Sequence, residues 1–294
     1  MYISFVSNIV KTNAEGYEHL ISLYQDLLKS DDNVVQCNFY NCVDFDANLA
    51  SVLGVLLDLL VEKGKAVYIT RPKGKHVRRC LARNKFLKAF DIETDTEDKE
   101  RYIQYNKFST SDSTDFKEYI KIGLIDKQKF PMHTEQAGKY IVENIFEIFA
   151  NATTHGDCEY VYCCGEYKDN CNPPVLDMTI VDCGNTIYKN VNTFFRNRQN
   201  FSPCEAIRWA LKEGNTTKND TGGLGLAQIE SFIRQNKGEL QIVSDRGMCE
   251  LKNGVWNDIT LENRFPGTIV NMKFNFEDTK LYYLKTEVDF NNLL

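Results

Sequence analysis

Glu147 and Asn151 stand four residues apart in the segment Val142-Glu-Asn-Ile-Phe-Glu-Ile-Phe-Ala-Asn-Ala-Thr-Thr-His155. In a helix that spacing sets both on one face, one turn apart. A carboxylate there can accept a proton from an attacking hydroxyl or water, and a carboxamide can offer one oxygen to Mg²⁺. Asn144 and Thr154/His155 continue the polar stripe. Ile141, Ile145, Ile148 and Ala152, broadened by Phe146 and Phe149, form the apolar stripe that would hold such a helix to a core. Taken alone, the polar stripe is equally what a solvated helix face shows.

Three further segments have chemistry to offer. In Asp177-Met-Thr-Ile-Val-Asp-Cys-Gly-Asn185 an apolar strand ends in Asp182, with Gly184 two residues on. An aspartate at a strand end can accept a hydrogen bond from an exocyclic amine such as that of adenine, and a glycine beside it lets a ring approach the backbone. A plain turn would use the same residues. In Thr221-Gly-Gly-Leu-Gly-Leu-Ala-Gln-Ile229, Gly223, Leu224, Gly225 and Leu226 lead straight into an apolar-periodic helix. Free backbone N–H groups at such a start can cradle an anion. No strand immediately precedes these glycines, which argues against a Rossmann fingerprint, and the Gly-Lys-Ser/Thr of a P-loop is lacking. Pro266-Gly-Thr-Ile-Val270 opens a late strand and places Thr268 at its start.

The elements that must position these residues read as two successive α/β units. In residues 1–110, strands at 2–6, 34–40 and 66–70 alternate with helices at 15–28, 47–62 and 77–90. The run 66–70 has the composition of a buried strand, and Gly64 sits where a helix stops. A charge run over 91–101 and the Ser/Thr/Asp tract 109–115 suggest a boundary. Then come a helix at 134–154, strands at 159–164 and 175–181, a polar stretch at 185–200, a helix at 205–211 and a loop at 212–222. A helix after Gly225 and strands at 240–244 and 268–276 follow, with Val270, Met272, Phe274 and Phe276 on one face. Residues 278–294 form a tail.

In order and spacing these segments resemble the GHKL superfamily, named for gyrase, a heat-shock chaperone, histidine kinases and a mismatch-repair protein, over roughly residues 130–277. The resemblance implies an α/β sandwich that binds ATP and Mg²⁺. It makes Glu147 the catalytic base, Asn151 the Mg²⁺ ligand, and Asp182 with Gly184 the adenine-binding box. Gly223, Leu224, Gly225 and Leu226 become the phosphate loop, Gly267 and Thr268 the support of the adenine pocket, and residues 212–221 a lid. The family box carries a second glycine where this chain has Thr186, which bears on how such a lid would hinge. The pattern from Glu147 to Gly156 looks most like the anti-sigma-factor serine kinases. Residues 38–70 are similar to STAS domains, the usual partners of those kinases. In those domains a Ser or Thr follows the helix-capping aspartate, whereas Asp46 here is followed by Ala47 and Asn48. The N-terminal unit is therefore expected to be a fixed docking or dimerisation module, with Ser51 partly buried.

Composition bounds these readings. The 294 residues hold 35 basic and 41 acidic side chains, a net charge of -6, which gives no overall reason to expect nucleic-acid or membrane partners. The ten cysteines show no C-x-x-C spacing, and Cys158, Cys163, Cys164 and Cys171 read as free thiols. The most apolar run, 49–61, is too short to span a bilayer and reads as a buried helix. The expected protein is soluble and cytoplasmic. It would be an ATPase or a protein serine/threonine kinase that phosphorylates or controls a protein partner, with a homodimer left open. The alternative is a non-catalytic switch in which ATP orders a surface for a partner.

Overall fold

The computed structural model describes residues 1–94, 98–196, 198–217 and 225–287. Its first part runs β1 (Tyr2–Phe5), β2 (Ile9–Val10), α1 (Ala14–Lys29), β3 (Val34–Asn38), β4 (Asp44–Phe45), α2 (Ala50–Glu62), β5 (Ala66–Ile69), α3 (Lys75–Arg83) and α4 (Phe86–Ala89). Then follow β6 (Tyr102–Ser109), α5 (Ser113–Ile120), α6 (Glu135–Asn151), β7 (Tyr160–Lys168), β8 (Val175–Asp182), α7 (Ile187–Phe194), α8 (Pro203–Ala210), α9 (Gly225–Asn236), β9 (Glu239–Lys252) and β10 (Val255–Asn275). Mixed helices and strands in parallel and antiparallel sheets make this an α/β fold.

Strands β1, β3 and β5 form a three-stranded parallel sheet, in the order β1-β3-β5. A five-stranded antiparallel sheet has the order β6-β7-β8-β10-β9. Helices α1 and α2 lie between the two sheets, and α5, α6, α8 and α9 cover the far face of the larger one. This layering explains why α2 is apolar on all sides: every residue from Ala50 to Leu57 is buried, because the helix meets a sheet on each flank. Helix α2 comes so close to β6 that a Cβ at Gly54 would overlap the Tyr105 side chain.

The interface between α1/α2 and the larger sheet carries a belt of paired polar groups, in which Asp177 Oδ1 alone lacks a hydrogen-bond partner among the described residues. Asn48 is fully buried; its Nδ2 lies 3.0 Å from both Thr179 Oγ1 and Asn271 Oδ1 and 3.1 Å from Thr12 Oγ1, and its Oδ1 accepts from the Thr12 hydroxyl. Lys168 bridges Asp177 at 2.8 Å and Asp46 at 3.2 Å. Burial works against the Lys168 charge, but Asp177 and Asp46 outweigh it and raise its pKa. Burial alone would raise Asp46, yet Lys168 and Lys11 hold it below the usual carboxylate range. Asp46 occupies the N-cap position of the turn Ala47–Leu49 but makes no capping bond. Its carboxylate instead accepts from the Thr12 amide and hydroxyl. Ser51, the one hydroxyl residue between Val43 and Leu56, is fully rather than partly buried and donates to the Asn48 carbonyl at 2.8 Å.

Several expected elements have different limits. Strand β6 lies within the first 110 residues yet pairs with β7 in the larger sheet. The run 66–70 is a strand, but its residues alternate between exposed and half-buried because β5 is the outer edge of its sheet. The helix expected over 77–90 breaks after Arg83, where Lys85 takes a left-handed conformation (φ 69°) and the Asn84 side chain accepts from the Phe86 amide. The polar stretch 185–200 contains α7. Strands β9 and β10 continue into a long hairpin closed at Asn253-Gly254, both with positive φ, as a two-residue turn between twisted strands requires.

Replacing Asn48 with Leu would remove the donor shared by Thr12, Thr179 and Asn271, leaving the last two only their bond to each other at 2.7 Å in a closed interface. The expected cost is on the order of 3 kcal/mol. Urea denaturation should show one cooperative transition for both sheets, moved to lower urea in Asn48→Leu. Two separate transitions in the parent chain would contradict a shared core.

Candidate functional site

One cleft gathers most of the residues singled out from sequence. Its walls include Glu147, Ile148, Asn151, Ala152, His155 and Gly156 from the end of α6, Asp182 from β8, Thr268 and Val270 from β10, and Gly225 and Leu226 from α9. Asn185, Ile187, Asn190 and Val191 around the start of α7, and Trp209, Ala210, Asn215, Thr216 and Thr217 around the end of α8, contribute the rest. Gly223 and Leu224 lie outside the described residues, as do 218–221 of the expected lid.

Local sequence explains this convergence. Thr134 caps α6, accepting from the Ala137 amide, and the apolar stripe Ile141, Ile145, Ile148 and Ala152 is buried. The stripe leaves Glu147 exposed and Asn151 half-buried on the cleft side. At its end α6 widens into a π-helical turn over Ala152–Gly156, a distortion that frequently accompanies functional sites. The turn brings Gly156 against the loop after β8. A Cβ at Gly184 would overlap the Gly156 carbonyl, so Gly184 is required by close approach and supports the wall rather than lining it. Gly225 has a similar constraint, since a Cβ there would overlap the Glu147 side chain. The first turn of α9 can lie on α6 only with glycine at that place.

Asp182 is 8% exposed at the end of β8, paired in register with Thr268 of β10. Burial pushes its carboxyl up to about 7, partly offset by hydrogen bonds from the backbone of Gly184 and Thr268. The Gly184 amide donates to Oδ1 at 3.1 Å. No Lys or Arg stands among the described residues that line the cleft, so Asp182 and Glu147 face it without a cationic side chain opposite. A buried carboxylate met only by backbone amides is suited to a neutral ligand N–H donor.

The sequence reading missed several contributors. Thr186, which replaces the expected glycine, caps α7 by accepting from the Lys189 amide at 3.1 Å and is 1% exposed. A signal was present: a threonine followed by Ile187, Val191 and Phe194 or Phe195 at helical spacing. Ser244 is fully buried beneath the site. Its hydroxyl donates to the Gly267 carbonyl, lies 3.2 Å from Thr268 Oγ1 and accepts from the Ile187 amide, joining β9, β10 and α7 at one point. Nothing in the sequence marks it. The described lid residues 212–217 are tied down by Asn215, which donates to the Trp209 carbonyl, and by Thr217, whose hydroxyl is 3.0 Å from His155 Nδ1. Asn190 donates to the His155 carbonyl. His155 thus connects the α6 end, α7 and the loop.

All ten cysteines are free, and the described residues contain no cluster of His, Cys, Asp and Glu able to hold a metal ion. No helix among the described residues is long and apolar enough to cross a membrane. No protein-family model, curated protein or solved structure matches the chain.

The Asp182 carboxyl has a definite signature. Its folded value near 7 lies above the ordinary 3.8, so between those values the folded protein holds a proton that the unfolded chain has lost. Stability from this group is therefore full in acid and falls as pH rises through 4 to 7, by up to roughly 4 kcal/mol. In Asp182→Asn that slope should become shallower in urea-melt free energies measured across pH 4–8, leaving the contribution of Glu166, which burial also raises. An unchanged slope would place the titration elsewhere.

Proposed function

We propose that this cleft binds an adenine nucleotide together with Mg²⁺ and that the chain uses it to control a protein partner. The observation that carries the reading is the meeting of Glu147, Asn151, Asp182, Gly225, Leu226 and Thr268, drawn from four separate elements, around one cavity. Asp182 would accept from the exocyclic amine, with Thr268 beside it and Ile148, Ile187, Val191 and Val270 as apolar walls for a ring. The N-terminus of α9 would face the phosphates. Asn151 would hold Mg²⁺, which supplies the positive charge that the described lining lacks. Mg²⁺ held by one carboxamide keeps several waters and binds well only with the phosphates present.

Glu147 divides two outcomes. As a base it would take the proton of an attacking water or protein hydroxyl. Its carboxylate has no hydrogen-bond or ion-pair partner among the described residues, so nothing described there fixes its orientation. That observation favours the second reading, a switch in which nucleotide binding and the His155–Thr217 clasp set the position of the loop after α8.

Thermal-shift titrations should show stabilisation by ATP with Mg²⁺ and much weaker stabilisation by GTP, whose ring has a carbonyl where adenine has its amine. Equal effects of the two would remove Asp182 from recognition. Asp182→Asn should lower ATP affinity about thirtyfold, through loss of a hydrogen bond worth about 2 kcal/mol. Asn151→Ala should abolish the Mg²⁺ dependence of binding. Phosphate release that stops in Glu147→Ala, with ATP still bound, identifies an enzyme; binding with no release in the parent protein identifies a switch.

A further inference from the structure

The overall acidity of the chain conceals a segregated basic segment. Eight of its 35 Lys and Arg residues fall within 71–88, where no Asp or Glu occurs. Helix α3 turns Val77, Cys80 and Leu81 inward, which forces the charges out. Arg71, Lys73, Lys75 and Arg79 are exposed. No acidic side chain pairs with any of them among the described residues. By contrast Arg83 is paired with Asp98, and His76 lies 3.8 Å from Asp44.

Beside these cations lies a bare sheet face. An all-parallel sheet is ordinarily covered on both sides. Here, among the described residues, α1 and α2 cover one side only. The register aligns Ile3 with Gln36 and Tyr68 in one row, and Phe5 with Asn38 in the next, all pointing away from the helices. Phe5 is 52% and Tyr68 57% exposed. Tyr40, 55% exposed, follows β3, and Lys73 Nζ stands 3.7 Å from its ring centre. The Phe39 amide donates to Thr70 Oγ1, which sets the end of β3 against the end of β5 immediately before Arg71. The cations thus border the carboxyl end of the sheet, where open α/β sheets commonly receive ligands.

We infer that this face binds a single nucleic-acid strand, with bases stacking on Phe5, Tyr68 and Tyr40 and phosphates running toward Arg71, Lys73, Lys75 and Arg79. Aromatic rings on an open sheet beside unpaired cations supply both interactions that a strand offers, stacking and charge neutralisation. Gln36 and Asn38 across the middle of the face suit base edges better than a dry contact between proteins. A bilayer is disfavoured because the apolar side of α3 is already used inside the molecule. The surface does not involve the cleft residues, and this inference stands whether or not the cleft binds nucleotide.

The test is fluorescence anisotropy with labelled 20-mer oligo-U, oligo-dT and a DNA duplex, using the full chain. Binding of a single strand is expected, with duplex at least tenfold weaker. With four cations engaged, the log–log salt slope should be about -3. The comparison of oligo-U with oligo-dT separates RNA from DNA as the source of the strand. Arg71→Glu/Lys73→Glu should reduce affinity more than tenfold, and Tyr68→Ala about tenfold. Both alter exposed side chains, and circular dichroism should confirm that the fold is kept. The proposal is overturned by absence of binding, by affinity that does not respond to these variants, or by duplex binding as tight as the single strands. It is equally overturned if phosphatidylserine vesicles bind while oligonucleotides do not, or if light scattering shows a dimer that Arg71→Glu/Lys73→Glu dissolves.

Discussion

Helix α2 is buried without a break from Ala50 to Leu57, and the architecture follows from burying it. One sheet can cover only one flank of a helix. The second flank here is closed by the five-stranded sheet, which in turn has its own second face covered. Apolar packing of this kind is not directional and would tolerate sliding. The buried contacts of Asn48 with Thr179 and Asn271, and of Lys168 with Asp46 and Asp177, remove that freedom, since a shift in register would leave several groups unsatisfied at once.

The same two strands that receive Asn48 in their middles end in the cleft. Thr179 and Asp182 share β8, and Asn271 and Thr268 share β10. The position of the N-terminal helices and the position of the cleft carboxylate are therefore set by one pair of strands. From the other side, Ser244 joins β9, β10 and the start of α7, and Gly225 lets α9 rest on α6. Most of the wall residues lie on helices and strands or at their ends. What remains adjustable among the described parts is the loop beyond α8, held by a few side-chain hydrogen bonds.

The sequence was legible where periodicity and chemistry agreed. The stripe Ile141, Ile145, Ile148 and Ala152 placed Glu147 and Asn151 on the free side of α6, and the apolar run before Asp182 placed that carboxylate at a strand end. Gly184, read as an opening for a ring, and Gly225, read as part of an anion-binding loop, are also points where two elements approach closely. Strand β6 was obscured by the charge run before it and the polar tract after it, although residues 102–109 carry four aromatic or apolar side chains. Helix α7 was hidden because Lys189, Asn190 and Asn192 give it the composition of a loop, although Asn192 is buried and Asn190 lines the cleft. Asn253-Gly254 should have announced the hairpin. The layered relation between the two units was not legible at all, because it depends on which face of a helix meets which sheet. The basic segment was lost for a simpler reason: a total charge averages over position.

Strand β6 has a consequence for how this polypeptide can be divided. It is the edge of the larger sheet, yet it precedes the tract at 109–115 that looks like a border. A gene fragment starting after that tract would encode a sheet without its edge and with the flank of β7 bare, inviting pairing with a neighbouring molecule. A fragment ending there would carry an orphan strand and leave α2 open to water. Shuffling of these halves as independent cassettes is thereby closed off, and substitutions on either side of the interface must be accommodated by the other.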